Sequence, residues 1–150
     1  MARMVDIGAK PDVPRRAVAT GTIRLRPKTI AAIRSGRVEK GDPIAAAEVA
    51  GLQAIKSTWQ TLPHCHPIPL TSAAVEFEIA ANRIDCTTTV EATYKTGVEM
   101  EALYGVTVAL LTVWDMVKSL EKDERGQYPT ARIEGIRVVS KEKGAARPGR

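Results

Sequence analysis

The stretch Val75-Glu76-Phe77-Glu78-Ile79-Ala80-Ala81-Asn82-Arg83-Ile84-Asp85-Cys86-Thr87-Thr88-Thr89-Val90-Glu91-Ala92 decides the fold. Val75, Phe77 and Ile79 alternate with Glu76 and Glu78, which is the period of a half-buried strand. After a turn near Asn82, the residues Ile84, Cys86, Thr88, Val90 and Ala92 form a second alternating set. The stretch therefore reads as a β-hairpin with one face inward. Gly97 ends it, and the longest helical pattern follows. Leu103, Val106, Leu110, Val113, Trp114, Val117 and Leu120 recur at helical spacing and predict a helix from about Glu99 to Lys122.

Working back from the hairpin, Pro63, Pro67 and Pro69 exclude a helix just before it. Gly41-Asp42-Pro43 opens an earlier helix, with Asp42 as N-cap and Pro43 at the first helical position. Ile44, Leu52, Ile55 and Trp59 fall within one arc of that helix and are expected to be its buried stripe. A short helix is expected after Pro27, with Ile30 and Ile33 on one side and Gly36 as its stop. From Arg16 to Leu25, the residues Ala17, Ala19, Gly21, Ile23 and Leu25 share one face of a strand. Beyond the long helix, Gly126 and Pro129 break the chain. Ile133, Ile136 and Val138 then predict a last strand with a bulge at Gly135.

The resulting order is βαββαβ, the α+β ferredoxin-like class, an antiparallel sheet with helices on one face. Residues 1–14, with Pro11 and Pro14, are expected to be an extended arm. Residues 15–140 form a single domain. Residues 141–150, with Lys141, Lys143, Arg147 and Arg150, are expected to be a basic flexible tail. The second sheet face is left open, and a partner subunit is its expected cover.

A chain of 150 residues with 44% hydrophobic content suffices for one folded domain, but aromatics are only 4%. Alanine and aliphatic contacts must fill the core. The net charge of +5 and a pI near 9.4 suit an anionic partner without choosing among nucleic acid, phosphorylated small molecule and acidic surface. Cys65 and Cys86 make no disulfide framework. No run of 18 apolar residues and no signal-peptide core is present, so a soluble cytoplasmic protein is expected.

Three segments carry candidate chemistry. Gly36 to Asp42 has the two-glycine spacing of a P-loop but places Asp42 where the lysine belongs. Lys40 beside a helix N-terminus remains, and read locally it is an exposed lysine in a capped turn. In His64-Cys65-His66 the two imidazoles point to one side in extended backbone. Zinc needs more ligands than this loop offers, so a proline-stiffened loop presenting His66 is favoured over a metal site. Asp115 and Lys118 are neighbours on one helical face within an otherwise apolar helix, where desolvation is expected to tune them as acid and base. Glu101 and Asp115 stand about 21 Å apart on one straight helix. They must meet one reacting atom from different subunits, or contact opposite ends of a long ligand.

Taken together, Met4-Val5-Asp6-Ile7, Lys40-Gly41-Asp42, Ala50-Gly51-Leu52-Gln53-Ala54-Ile55-Lys56, Cys65-His66-Pro67-Ile68-Pro69-Leu70, Lys95-Thr96-Gly97-Val98-Glu99-Met100-Glu101-Ala102-Leu103 and Asp115-Met116-Val117-Lys118 resemble the molybdenum-cofactor biosynthesis protein C family. The resemblance implies the ferredoxin-like fold assembled as a homohexamer of three dimers, with active sites at dimer interfaces. It implies a lyase that converts 3′,8-cyclo-7,8-dihydroguanosine 5′-triphosphate, made by a radical enzyme, into cyclic pyranopterin monophosphate and diphosphate. Asp115 then matches the catalytic aspartate, and Lys118 and Lys40 match functional lysines. The loop His64-Cys65-His66 and the residues Met100 and Glu101 match substrate-contacting positions, as do Glu99 and Arg15. The family usually has leucine where this chain has His64.

No resident metal or cofactor is implied, although magnesium could accompany the triphosphate. Departure of diphosphate needs positive charge, which Arg15, Lys40 and Lys118 can supply. Asp115 is expected to act as general base with Lys118 as its proton donor, while His66, Met100 and Glu101 hold base and sugar. Two competing classes are a nucleic-acid binder and a ligand-sensing module. The first needs exposed aromatics beside basic residues, which this composition hardly provides. The second does not require Asp115 and Lys118 in an apolar helix. Neither a nucleic-acid nor a membrane partner is expected.

Overall fold

The computed structural model describes residues 1–145. Its elements run β1 (Val13–Arg24), α1 (Pro27–Arg34), α2 (Pro43–Thr61), β2 (Leu70–Ile79), β3 (Arg83–Tyr94), α3 (Glu99–Glu121) and β4 (Arg132–Lys143). The four strands form one antiparallel sheet in the order β2-β3-β1-β4. This is the expected α+β arrangement, with the short helix after Pro27 making the order βααββαβ.

The hairpin forms as its alternation predicts. Ala80 N–H donates to the Arg83 carbonyl at 2.9 Å and closes the turn. Ile84, Cys86, Thr88, Val90 and Ala92 turn inward and are buried, as do Ala17, Ala19 and Ile23 of β1. The helices cover this face. Val106, Leu110, Val113 and Val117 of α3 are fully buried on it, and Leu103, Trp114 and Leu120 pack at its margins. Gly21 lets α3 come close, because a Cβ there would stand 2.7 Å from Val106 Cγ1. The Thr88 hydroxyl donates to the Ala102 carbonyl at 2.7 Å, which satisfies a polar group inside the core. Although α3 is long and apolar enough to cross a membrane, it is the central core helix here.

The stripe expected on α2 is corrected. Ile55 is buried and Ile44 partly so, but Leu52 and Trp59 are exposed. The buried face is instead made of Ala47, Gly51, Ala54, Ile55 and Thr58. The reason is a close helix crossing. A Cβ on Gly51 would lie 3.2 Å from Ala109 Cβ, and one on Gly105 would lie 2.6 Å from Ile55 Cγ1. Large side chains have no room at such an approach and turn outward. The cap reads correctly, since Asp42 Oδ1 accepts from Ile44 N–H at 2.9 Å and Ala45 N–H at 3.2 Å.

The open face of the sheet is polar. Thr22 donates to Asp85 at 2.6 Å, Arg16 pairs with Glu91 at 3.2 Å, and Arg24 pairs with Glu134 at 2.7 Å. Among the large exposed apolar side chains, Val49, Leu52 and Trp59 lie on α2, Leu111 on α3, and Ile136, Val138 and Val139 on β4. The bulge at Gly135 is present, with φ +66 and a register shift opposite Thr20 and Thr22. A second shift lies opposite Val18 and Ala19. Beyond it β4 runs on to Lys143, so residues 141–143, expected in the tail, pair with Arg15, Arg16 and Ala17. Residues 146–150 lie outside the described residues.

Candidate active site

Two clusters of site residues form at opposite ends of α3. The first is assembled by the loop between α1 and α2. Gly36, at φ +67, turns the chain out of α1, and Gly41, at φ +114, turns it into the Asp42 cap. Both angles favour glycine. Val38 is buried and anchors the loop. Lys40 is thereby swung against α3, where its ammonium donates to the Asp115 carbonyl at 3.0 Å and approaches Oδ2 at 3.4 Å. Lys118 Nζ stands 3.1 Å from Oδ1 of the same carboxylate. The capped turn that looked ordinary in sequence therefore delivers its lysine to the aspartate.

Desolvation of this pair, expected from the apolar helix, is not observed. The side chains of Asp115, Lys40 and Lys118 are 59%, 47% and 44% exposed. Asp115 lies about 200° around the helix from both Val113 and Val117, opposite the buried stripe. The hydrogen bond from Lys118, and then that from Lys40, holds its carboxyl below the usual carboxylate range. The cluster is an ionised carboxylate clasping two ammonium groups at the surface, a pattern suited to an anionic ligand.

The second cluster surrounds the start of α3. Glu101 is only 4% exposed, and burial followed by the charge of Glu99 pushes its carboxyl up. Burial would raise Glu99 too, but the ammonium of Lys141 and the guanidinium of Arg15 outweigh it and hold Glu99 low. Lys141 Nζ lies 2.6 Å from Glu99 Oε1, out of hydrogen-bond alignment but in ion-pair contact. Arg15 is buried and donates through Nε to the Tyr94 carbonyl at 3.4 Å and through Nη2 to the Lys95 carbonyl at 3.3 Å. Burial, and then the charge of Glu101, pushes the Cys65 thiol up, so the loop feels the charge of this cluster.

Arg15, Glu99, Glu101 and Cys65 thus lie within range of one another's charges, with His66 next to Cys65 in the loop. His64 and His66 bond to the N-terminal arm, through Arg3 and Val5 carbonyls. Met100 points outward and is exposed. Lys141 went unrecognised in the sequence. The extra residue at the second register shift breaks the alternation of β4, so no periodic signal aligned Lys141 with the inner face. Among the described residues, no three His, Cys, Asp or Glu side chains converge to hold a metal ion.

The spacing of the clusters follows from α3 itself. Fourteen residues at about 1.5 Å each separate Glu101 from Asp115 by about 21 Å. Neither half offers both a buried carboxyl and the two-lysine clasp. The sequence model of the MoaC family matches residues 4–144, which span both halves. The chain belongs to the MoaC family. It is 59% identical over 141 residues to a probable cyclic pyranopterin monophosphate synthase of Thermococcus onnurineus, covering 94% of this chain and 90% of the relative. It is 60% identical over 143 residues to a protein of the same description from Methanoregula boonei, covering 95% and 92%. A relative from Methanothermobacter thermautotrophicus, 55% identical over 141 residues and covering 94% and 89%, is described as a probable cyclic pyranopterin monophosphate synthase accessory protein. All ten expected site residues lie inside the matched span.

Proposed function

We propose that the chain is a cyclic pyranopterin monophosphate synthase, a lyase that converts 3′,8-cyclo-7,8-dihydroguanosine 5′-triphosphate to cyclic pyranopterin monophosphate and diphosphate. The observation that carries this reading is the clasp of Lys40 and Lys118 on Asp115, within a chain that belongs to the MoaC family. Diphosphate leaves as a ribose hydroxyl attacks the α-phosphorus, and two adjacent ammonium groups stabilise the charge that builds on the departing oxygen. Arg15 and Lys141 bring further positive charge at the other half-site. Magnesium, where it takes part, arrives with the triphosphate.

Opening and reclosing the purine-derived ring needs proton transfers. A carboxyl held low is a poor base at neutral pH, whereas one pushed up by burial is better matched to that task. The geometry therefore favours Asp115 as the group that orients the two lysines, and as a base only once an anion draws them away. Glu101 is the better tuned proton carrier. The separation of the half-sites favours a site completed by a second subunit, in a dimer or in the homohexamer that the family resemblance implies.

The test is turnover of purified protein on the cyclised substrate, following diphosphate and pterin product, beside Asp115→Ala and Lys118→Ala. Product is expected from wild type. Each variant is expected to lose at least about a hundredfold in rate, with its fold intact, because exposed ion pairs contribute little to stability. A folded, assembled wild-type protein that releases no diphosphate would overturn the assignment.

A further inference from the structure

The N-terminal arm does more than trail from β1. His64 Nδ1 meets the Arg3 carbonyl, and His66 Nε2 meets the Val5 carbonyl at 2.8 Å. The two-residue spacing is the same in arm and loop, as when extended segments lie side by side. Further along, Gly8 N–H donates to Asp6 Oδ1 at 2.8 Å, and Lys10 N–H donates to the Ile7 carbonyl at 3.0 Å, forming a turn. Lys95 then secures the arm, with Nζ 3.0 Å from the Lys10 carbonyl and 3.2 Å from Asp12 Oδ1. The arm is tied at one end to the histidine loop and at the other to the segment that leads into Glu99.

A carbonyl oxygen can only accept a hydrogen bond. The ring nitrogen facing Val5 must therefore carry the proton. In a neutral imidazole only one nitrogen does, so the neutral form of His66 has its proton on Nε2 and a lone pair on Nδ1. The structure gives Nδ1 no hydrogen-bond partner among the described residues. We propose that the arm is a strap that fixes His66 as its Nε2–H tautomer, so that the ring meets its ligand through Nδ1 as an acceptor. This rests on the reading above that His66 contacts the substrate. An ionised phosphate offers only acceptors, so His66 takes an N–H or O–H of the purine-derived ring or sugar and leaves the triphosphate to the lysines. Val5 is a positioning residue acting through its backbone.

The experiment is solid-state ¹⁵N NMR of histidine-labelled full-length protein and of a chain lacking residues 1–5, with kcat/KM measured on both. Only two histidines are present, and His64→Leu assigns them. The full-length chain should show His66 protonated at Nε2 and bare at Nδ1, and protons on both nitrogens would overturn the acceptor role. The shortened chain should show a mixture of tautomers and lose at least about tenfold in kcat/KM, and adding His66→Ala to it should cost much less than in the full-length chain. Where deletion disturbs assembly, an ester in place of the Val5–Asp6 amide weakens the same carbonyl in an intact chain and is read the same way. Persistence of the Nε2–H tautomer without the Val5 acceptor overturns the strap. Loss of the tautomer with kcat/KM unchanged overturns the role of Nδ1. A wild-type protein inactive on the substrate overturns the proposed function, while the tautomer measurement still judges the strap.

Discussion

Glu101 and Glu121 are both buried carboxylates on α3, and their surroundings give them opposite consequences. Glu121 accepts from the Arg26 N–H at 3.1 Å and from the Thr29 hydroxyl, so it caps the start of α1 with its own side chain. Replacing it with alanine strands both donors and is expected to cost about 1–3 kcal/mol, read as a lower midpoint in urea. An unchanged midpoint would show that the cap contributes nothing. Glu101 has its own backbone N–H as a donor, and burial outweighs that bond and pushes the carboxyl up. A carboxyl raised on folding holds its proton in the folded state over a range where the unfolded chain has lost it. Stability therefore falls as pH rises from the ordinary carboxylate value through the raised one, and stays lower above it. Glu101→Gln should be more stable than wild type at pH 7, by about 0.5–2 kcal/mol. The advantage should vanish near pH 4, while turnover is lost. A variant less stable than wild type at pH 7 would mean that Glu101 is held as a favourable ion. Glu101 was visible through its motif, and Glu121 was not, because its partners lie on an element 92 positions away.

Elements were legible where one residue's neighbours decide its direction. Alternation fixed the hairpin, Asp42-Pro43 fixed the start of α2, and helical spacing fixed the buried face of α3. The face of α2 was misread because large apolar residues were assumed to mark it, whereas the closest contact is made by small ones. Gly51 and Gly105 let the two backbones approach, and Leu52 and Trp59 are left outside. Gly105→Ala tests this packing. Its Cβ would stand 2.6 Å from Ile55 Cγ1, and the overpacking is expected to destabilise by about 1–3 kcal/mol. Ile55→Ala in the same chain makes space for the new methyl group. The double variant should then lose less than the two single losses added together. Strict additivity, measured by denaturant unfolding of all four proteins, would show that these residues do not press on each other.

At the scale of the whole molecule, both half-sites were readable as motifs, and the distance between them was readable from helix geometry. Lys40 was readable through Lys40-Gly41-Asp42, but only the folded loop shows that it reaches Asp115 across 75 positions. The gap of about 21 Å is closed either by a second copy of the chain or by an elongated ligand. If each site takes the Glu101 end from one subunit and the Asp115 end from another, inactive variants should complement. A two-fold dimer of one Glu101→Ala subunit and one Asp115→Ala subunit holds one site with both defects and one with none. Random reassembly of equal amounts makes half the dimers mixed. About a quarter of the wild-type activity should then return, by the symmetry of a two-fold interface. Co-refolding the two variants and following diphosphate release measures it. Sites built within single subunits would leave every site with one defect and the mixture inactive. In that case the two ends of α3 would have to serve opposite ends of an elongated ligand.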